Sequence, residues 1–509
     1  MMMSQSRHWK LVITTIACLS LLKVVAYLWI CYGASRRPTS DPVPSHESAD
    51  SAALPQLVPG SRTNRTQEAY VALFYGGFFP AMRVLGQSLR ESGTTRDYVA
   101  LCLDVGDKET DILMRDGWIV KTVDPLPKEC VGNAAFSRHF TKIQAWLLTE
   151  YRRVISIDSD AIVLHNIDHL FNCAEFCVSY RHSDLFNTGV VVLKPSLNTF
   201  QDMCKHIQSV GSYTGGDQGF LNYYYEQLKY APMFSRHNET TQNSNLKFLR
   251  LPSEYNGDIS VYYLNNKWMY IDVDEPYVLH YTLGPVKPWK WWSYPLFSLN
   301  WKWKSLRDRL PPADMREPSL WDWQSWLPLA LLSALYLSSR MWCGWYSRII
   351  SQSIVVKWTQ HLGLVKGRLV KILPSLLLAF ACYYAYSHVP LAMSPLEAWT
   401  RYGAWVLLFF LMPYSAYCHL AYILGKNEAT NSSSISYRRI LMECFLWLLL
   451  AVVIFYMQFL LPTVLIRMKY RVIVFVSLGV SNFLLCYFYG KRLIHLWFRL
   501  GSLSSNLVE

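Results

Sequence analysis

The chain has 509 residues, of which 52% are hydrophobic and 17% charged, with a formal net charge of +13. At about 150 residues per domain that length gives two or three domains, and so apolar a composition excludes a disordered or collagen-like protein. Five stretches without Asp, Glu, Lys or Arg, at 323–339, 372–396, 402–424, 444–466 and 472–490, exclude a purely soluble one, because about 20 apolar helical residues cross a bilayer.

Residues 1–35 hold two apolar runs, 11–22 and 24–35, split by Lys23 and flanked by Arg7, Lys10, Arg36 and Arg37. They read as a signal anchor or as a long signal peptide, and the length of the run favours the anchor. Either sends the following chain across the ER membrane. Residues 36–67, rich in Pro, Ser, Arg and Thr without periodicity, read as a stalk.

From 68 to 310, short β-branched runs alternate with helical ones. Strands are predicted at 70–74, 98–103, 118–123 and 153–157, and helices at 82–91, 110–115 and 142–149. That alternation predicts an α/β domain, a mostly parallel sheet with flanking helices. Its five cysteines, Cys102, Cys130, Cys173, Cys177 and Cys204, leave at least one unpaired, and Cys173 with Cys177 reads as a local disulfide or two buried thiols.

Residues 320–495 follow as five predicted transmembrane helices, with 496–509 as a cytosolic tail. Lys and Arg concentrate in loops 340–371 and 425–439 and in the tail, which makes those segments cytosolic and the α/β domain lumenal. The tight loop 467–471, with three basic residues, dissents. Charge gathered at membrane edges is an orientation signal, not a nucleic-acid footprint. On this topology the glycosylation acceptors Asn64 and Asn238 are lumenal and Asn431 is cytosolic.

The chemistry starts at Val154-Ile155-Ser156-Ile157-Asp158-Ser159-Asp160. An apolar strand delivers two carboxylates two positions apart, which in extended chain face the same way. Like charges held together call for a cation, and oxygen ligands suit Mg2+ or Mn2+. Downstream, Asn187-Thr188-Gly189 precedes another buried strand, and Gly215-Gly216-Asp217-Gln218-Gly219 marks a helix start with acceptor and donor groups suited to sugar hydroxyls. Finally, His280 could complete a metal shell, with Gly284 and Lys287 placed to meet a phosphate.

Strand-Asp158-x-Asp160, Asn187-x-Gly189, Gly216-Asp217-Gln218-Gly219 and His280…Gly284-x-x-Lys287-Pro288-Trp289, in that order, resemble the glycogenin-type family 8 glycosyltransferases over about residues 70–292. Ala69-Tyr70-Val71-Ala72-Leu73, Asn266-Lys267-Trp268-Met269 and the four-residue step from His280 to Gly284 look most like the plant glycogenin-like glucuronosyltransferase branch. The resemblance implies a GT-A-type nucleotide-sugar-binding domain, a UDP-sugar donor, Mn2+ and retention of anomeric configuration. It further implies that Asp158, Asp160 and His280 ligate the metal, that Gly284 and Lys287 hold the UDP phosphates, and that Leu73 lies at the uridine. Lys142 would sit near the donor sugar, with Asn187, Asp217 and Gln218 facing the transferred sugar. A Golgi or ER membrane location goes with it.

The spans point to the acceptor. Trp289-Lys290-Trp291-Trp292 suits a membrane interface and precedes the spans, so a lipid head group is the expected acceptor, and the resemblance to the plant branch implies one such as inositol phosphorylceramide. Trp301, Trp303, Trp321, Trp323 and Trp326 extend the belt or, for some of them, fill a buried aromatic core. The rival readings are transfer to a polysaccharide or protein primer and a sugar-binding membrane receptor without turnover. Transport is disfavoured, since Glu443 and His388 form no intramembrane acid–base pair.

Overall fold

The computed structural model describes residues 66–126, 134–180, 184–210, 212, 216–236, 246–269, 271, 273–284, 286–311, 369–390, 393–426 and 437–505. The chain divides into Met1–Pro59 and Gly60–Glu509, and everything described belongs to the second unit. The expected anchor, nearly all of the stalk, the span at 323–339, the three glycosylation acceptors, Cys130, Trp321, Trp323 and Trp326 lie outside the described residues.

In chain order the elements are β1 (Glu68–Tyr75), α1 (Phe79–Glu91), β2 (Asp97–Leu103), α2 (Asp107–Arg115), β3 (Ile119–Thr122), a 3₁₀ segment Ala134–Leu147, β4 (Arg153–Ile157), β5 (Ala161–Val163), β6 (Phe176–Tyr180), β7 (Phe186–Leu193), α3 (Leu197–Val210), α4 (Asp217–Tyr224), β8 (Phe248–Leu251), β9 (Gly257–Asp258), α5 (Ile259–Asn265), β10 (Val278–His280), α6 (Asn300–Asp308), α7 (Leu369–Ser387), α8 (Pro395–Lys426), α9 (Tyr437–Thr463) and α10 (Met468–Ser505).

Seven strands form one sheet in the order β3-β2-β1-β4-β7-β6-β8. Strict alternation buries it on both faces: Tyr70, Ala72, Ile155, Val190 and Val192 enter one core, while Ala69, Val71, Val154, Val191 and Leu193 enter the other. The sheet is mostly parallel, as expected, but mixed: β7 alone runs antiparallel, to both β4 and β6, while the other strands share one direction. Physically, β6 and β7 form a hairpin, and so short a connection permits only antiparallel pairing.

The helix predicted at 142–149 is a 3₁₀ segment ending at Leu147. Phe140, Ile143 and Trp146 are buried there at a spacing of three, which three residues per turn place on one face. Cys173 and Cys177 form a disulfide, and Cys102 is a buried free thiol.

A three-stranded sheet, β5-β10-β9, positions the site. Its register sets His280 opposite Ala161, and the Tyr281 N–H donates to the Asp160 carbonyl at 3.0 Å. Thus the chain turn after β4 and the end of β10 meet at the C-terminal edge of the larger sheet.

Among the described residues, three helices, Pro395–Lys426, Arg438–Thr463 and Met468–Leu503, are long and apolar enough to cross a membrane, beside the shorter apolar Ile372–Ser387. A Cβ at Gly425 would lie 1.9 Å from the Phe498 carbonyl oxygen, and one at Gly501 2.0 Å from that of Tyr422. Helices α8 and α10 therefore touch backbone to backbone. The α/β domain rests on these helices through Trp291, whose ring centroid lies 6.0 Å from Tyr386, 6.0 Å from Trp399 and 5.4 Å from Tyr402. Arg471 adds a hydrogen bond to the Leu296 carbonyl at 3.4 Å. The expected aromatic belt divides: Trp303 is buried in the α/β domain with Trp289, because its helix packs inward, while Trp301 is exposed.

Candidate functional site

The turn between β4 and β5 is held by the Asp158 N–H, which donates to the Gly189 carbonyl of β7 at 2.9 Å, and by the Ala161 N–H, which donates to Asp158. It turns both carboxylates toward the end of β10. His280 Nε2 lies 3.3 Å from Asp160 Oδ1 and 3.6 Å from Asp158 Oδ2. One ligand atom from each of the three residues lies within 4.8 Å of the others. Two carboxylates and an imidazole nitrogen are a donor set for a divalent ion of the Mn2+ class. Gly189 makes room for the ring, since a Cβ there would lie 2.2 Å from His280 Cε1 and Nδ1.

Each acid also meets a lysine. Lys142 Nζ donates to Asp158 Oδ1 at 2.6 Å and to the Thr188 carbonyl, and stands 4.0 Å from Asp217 Oδ2. Lys287 Nζ donates to Asp160 Oδ2 at 2.5 Å and to the Tyr281 carbonyl at 2.6 Å. Burial alone would lower the Lys142 pKa, but the charges of Asp158 and Asp217 outweigh it and raise the pKa. At Asp160 burial pushes upward, yet His280 and Lys287 prevail and hold the carboxyl well below the usual range. Asp217 goes the other way: burial raises it, and Lys142 offsets only part of that.

A wall of amides and hydroxyls adjoins the acids. Asp217 and Gln218 open α4, and Asn222 ties this helix to β7 by accepting from the Phe186 N–H at 2.8 Å and donating to the Phe186 carbonyl at 2.9 Å. Asn187 Nδ2 donates to Gln218 Oε1 at 2.9 Å, and Thr188 Oγ1 donates to Asp217 Oδ2 at 3.0 Å.

The structure thus brings Asp158, Asp160, His280, Lys142, Lys287, Asn187, Asp217 and Gln218 into one constellation. Leu73 lies toward the end of β1, two positions past Val71, which pairs with Ser156 of β4, and is partly buried against the second core. Gly284 is exposed in the loop after β10, and a Cβ there would meet nothing within 4 Å. Two residues escaped sequence reasoning. Thr188, inside the Asn-x-Gly motif, carried no signal of its bond to Asp217. Asn256, buried at 5% exposure, places Oδ1 2.9 Å from His280 Nδ1 and Nδ2 2.9 Å from Asn187 Oδ1. An isolated asparagine has no periodicity by which to find it.

No protein-family model matches the chain. Over 258 residues it is 41% identical to inositol phosphorylceramide glucuronosyltransferase 1 of Arabidopsis thaliana, covering 49% of this chain and 47% of that protein. It is 35% identical over 163 residues to UDP-glucuronate:xylan alpha-glucuronosyltransferase 1 of the same plant, covering 31% of this chain and 25% of the other. The chain spans about half the length, or less, of these curated relatives. Among solved structures, a galactosyltransferase LgtC in complex with donor and acceptor sugar analogs is 14% identical, covering 48% of this chain and 98% of that one, with a TM-score of 0.36. The resemblance to plant glycogenin-like glucuronosyltransferases, read from the motifs, is borne out by the first two comparisons.

Proposed function

We propose that the chain is a membrane-bound, metal-dependent glycosyltransferase of the GT-A type. In this reading it moves a hexose or hexuronic acid, glucuronate foremost, from a UDP-sugar to a lipid head group, with retention, on the lumenal side of a Golgi or ER membrane. The observation that carries it is the meeting of Asp158, Asp160 and His280 within 4.8 Å, with Lys287 on the same acid.

These three residues would hold Mn2+, which when bound supplies positive charge against the donor's diphosphate. Lys287 is anchored on the Tyr281 carbonyl, so its ammonium stands ready to neutralise charge growing on the leaving phosphate, an interaction that strengthens in the transition state. The open loop at Gly284 would admit the phosphates, and Leu73 would lie at the uridine. Asn187, Gln218 and Asp217 would hold the transferred sugar. Lys142 braces Asp158 and Asp217, beside the groups proposed to hold the transferred sugar, where it or an arginine could meet a glucuronate carboxylate.

The acceptor proposal rests on the docking of the α/β domain. Trp291, four positions after Lys287, is buried among aromatic residues of α7 and α8, which ties the site to helices able to cross a membrane. Relatives named as glucuronosyltransferases, one for inositol phosphorylceramide, support the donor and acceptor assignments. Membranes carrying the chain, given Mn2+ and labelled UDP-glucuronate or UDP-glucose, should pass label from UDP-glucuronate into extractable lipid. Label in polymer, or none in either fraction, overturns this reading.

A further inference from the structure

We propose that Asn256 is a positioning residue that fixes the tautomer of His280 and joins the metal-binding end of the site to the amides that face the transferred sugar. This rests on the metal reading of the Asp158, Asp160 and His280 cluster.

The direction of every hydrogen bond in the relay follows from one group that has no choice. The Gly189 backbone N–H can only donate, and it meets Asn187 Oδ1 at 2.9 Å. The Asn187 nitrogen is therefore turned away, onto Gln218 Oε1 at 2.9 Å. Asn256 approaches with its own nitrogen, 2.9 Å from Asn187 Oδ1 and 3.3 Å from the Asn187 carbonyl, two groups that only accept. Asn256 Oδ1 must then face His280 Nδ1, which it does at 2.9 Å. An acceptor oxygen there requires the proton on Nδ1, leaving the lone pair on Nε2, the atom that faces Asp158 and Asp160.

Strand register keeps the relay in place. Gly257 and Asp258, directly after Asn256, pair with Leu279 and His280. Asn256 is thus held beside the imidazole by backbone pairing, independently of the side-chain bonds. Partners of this kind orient a ligating imidazole, and their loss costs about 10–100-fold in metal affinity. What is unusual is the second arm. The same amide that presents Nε2 to the metal also holds Asn187, so its two ends serve two different ligands.

Two substitutions separate the arms. Asn256→Asp keeps an oxygen that accepts from His280 Nδ1 but replaces the donor to Asn187 with a second acceptor. Asn256→Leu removes both. The measurements use the purified full chain in detergent: Mn2+ binding by thermal shift and by electron paramagnetic resonance of free Mn2+, UDP binding, and turnover of the UDP-sugar. Asn256→Leu should weaken Mn2+ binding by about 10–100-fold. Asn256→Asp should bind Mn2+ and UDP like the wild type while kcat/KM for the UDP-sugar falls. Wild-type Mn2+ affinity in Asn256→Leu, or undiminished sugar turnover in Asn256→Asp, overturns the inference. A wild-type chain that binds no Mn2+ overturns the metal reading as well, so the two failures are told apart.

Discussion

Lys287 Nζ donates to Asp160 Oδ2 at 2.5 Å across 127 positions of sequence, and the same ammonium is tethered to the Tyr281 carbonyl, one residue past His280. The cation proposed to face the phosphates and two of the three proposed metal ligands are therefore set by a single strand end. Lys287→Met should lower kcat by about a hundredfold or more, the scale of losing one charge-stabilising donor. The thermal unfolding of the chain without metal should change far less. Steady-state kinetics beside a melting curve checks this, and a Lys287→Met chain with wild-type kcat would remove the residue from the chemistry.

Gly189→Ala tests the packing under the imidazole. The added methyl would meet His280 Cε1 and Nδ1 at 2.2 Å, and β7 is buried along its length, so the ring must move. Mn2+ affinity, read as a metal-induced rise in melting temperature, should fall roughly tenfold or more.

Part of this site is written in local sequence pattern and part only in the packing of distant segments. The acids after β4 and the acid–amide pair at the start of α4 were legible, because strand alternation and helix starts leave local patterns. The antiparallel entry of β7 was not, since strand direction depends on which neighbour a hairpin inserts beside. Nor was the pairing of His280 with Ala161, a register between segments far apart in sequence. Asn256 matters only through that register. The aromatic stretch near 290 pointed to a membrane edge, yet composition could not tell Trp291, which docks on α7 and α8, from Trp303, which fills the α/β core.

His169 gives a pH signature away from the site. Its ring stacks on Phe234, its Nε2 lies 2.8 Å from the Tyr255 hydroxyl, and burial, aided by the Arg236 charge, lowers its pKa to about 4 from an ordinary 6.5. The unfolded chain takes up this proton first as pH falls. The contribution is whole above pH 6.5 and is lost progressively as pH drops toward about 4. Melting temperatures across that window should fall less steeply for His169→Leu than for the wild type; parallel curves would exclude the effect.

Trp291→Ala should loosen the seat of the α/β domain on α7 and α8. Removing so large a buried ring costs about 3–5 kcal/mol in a packed core, and the melting temperature of the full chain in detergent should drop accordingly. If the docking sets the height of the site above lipid, transfer to lipid should fall more than release of UDP to water. Equal losses in both would confine Trp291 to a structural role.

The central claim, that Asp158, Asp160 and His280 share one divalent ion that grips a UDP-sugar, is tested most directly by UDP release from the purified full chain with Mn2+ and with chelator. The wild type should release UDP only with Mn2+, and Asp160→Asn should release none in either condition while keeping the wild-type fold by circular dichroism. Turnover that persists in chelator, or that Asp160→Asn leaves undiminished, would contradict the account.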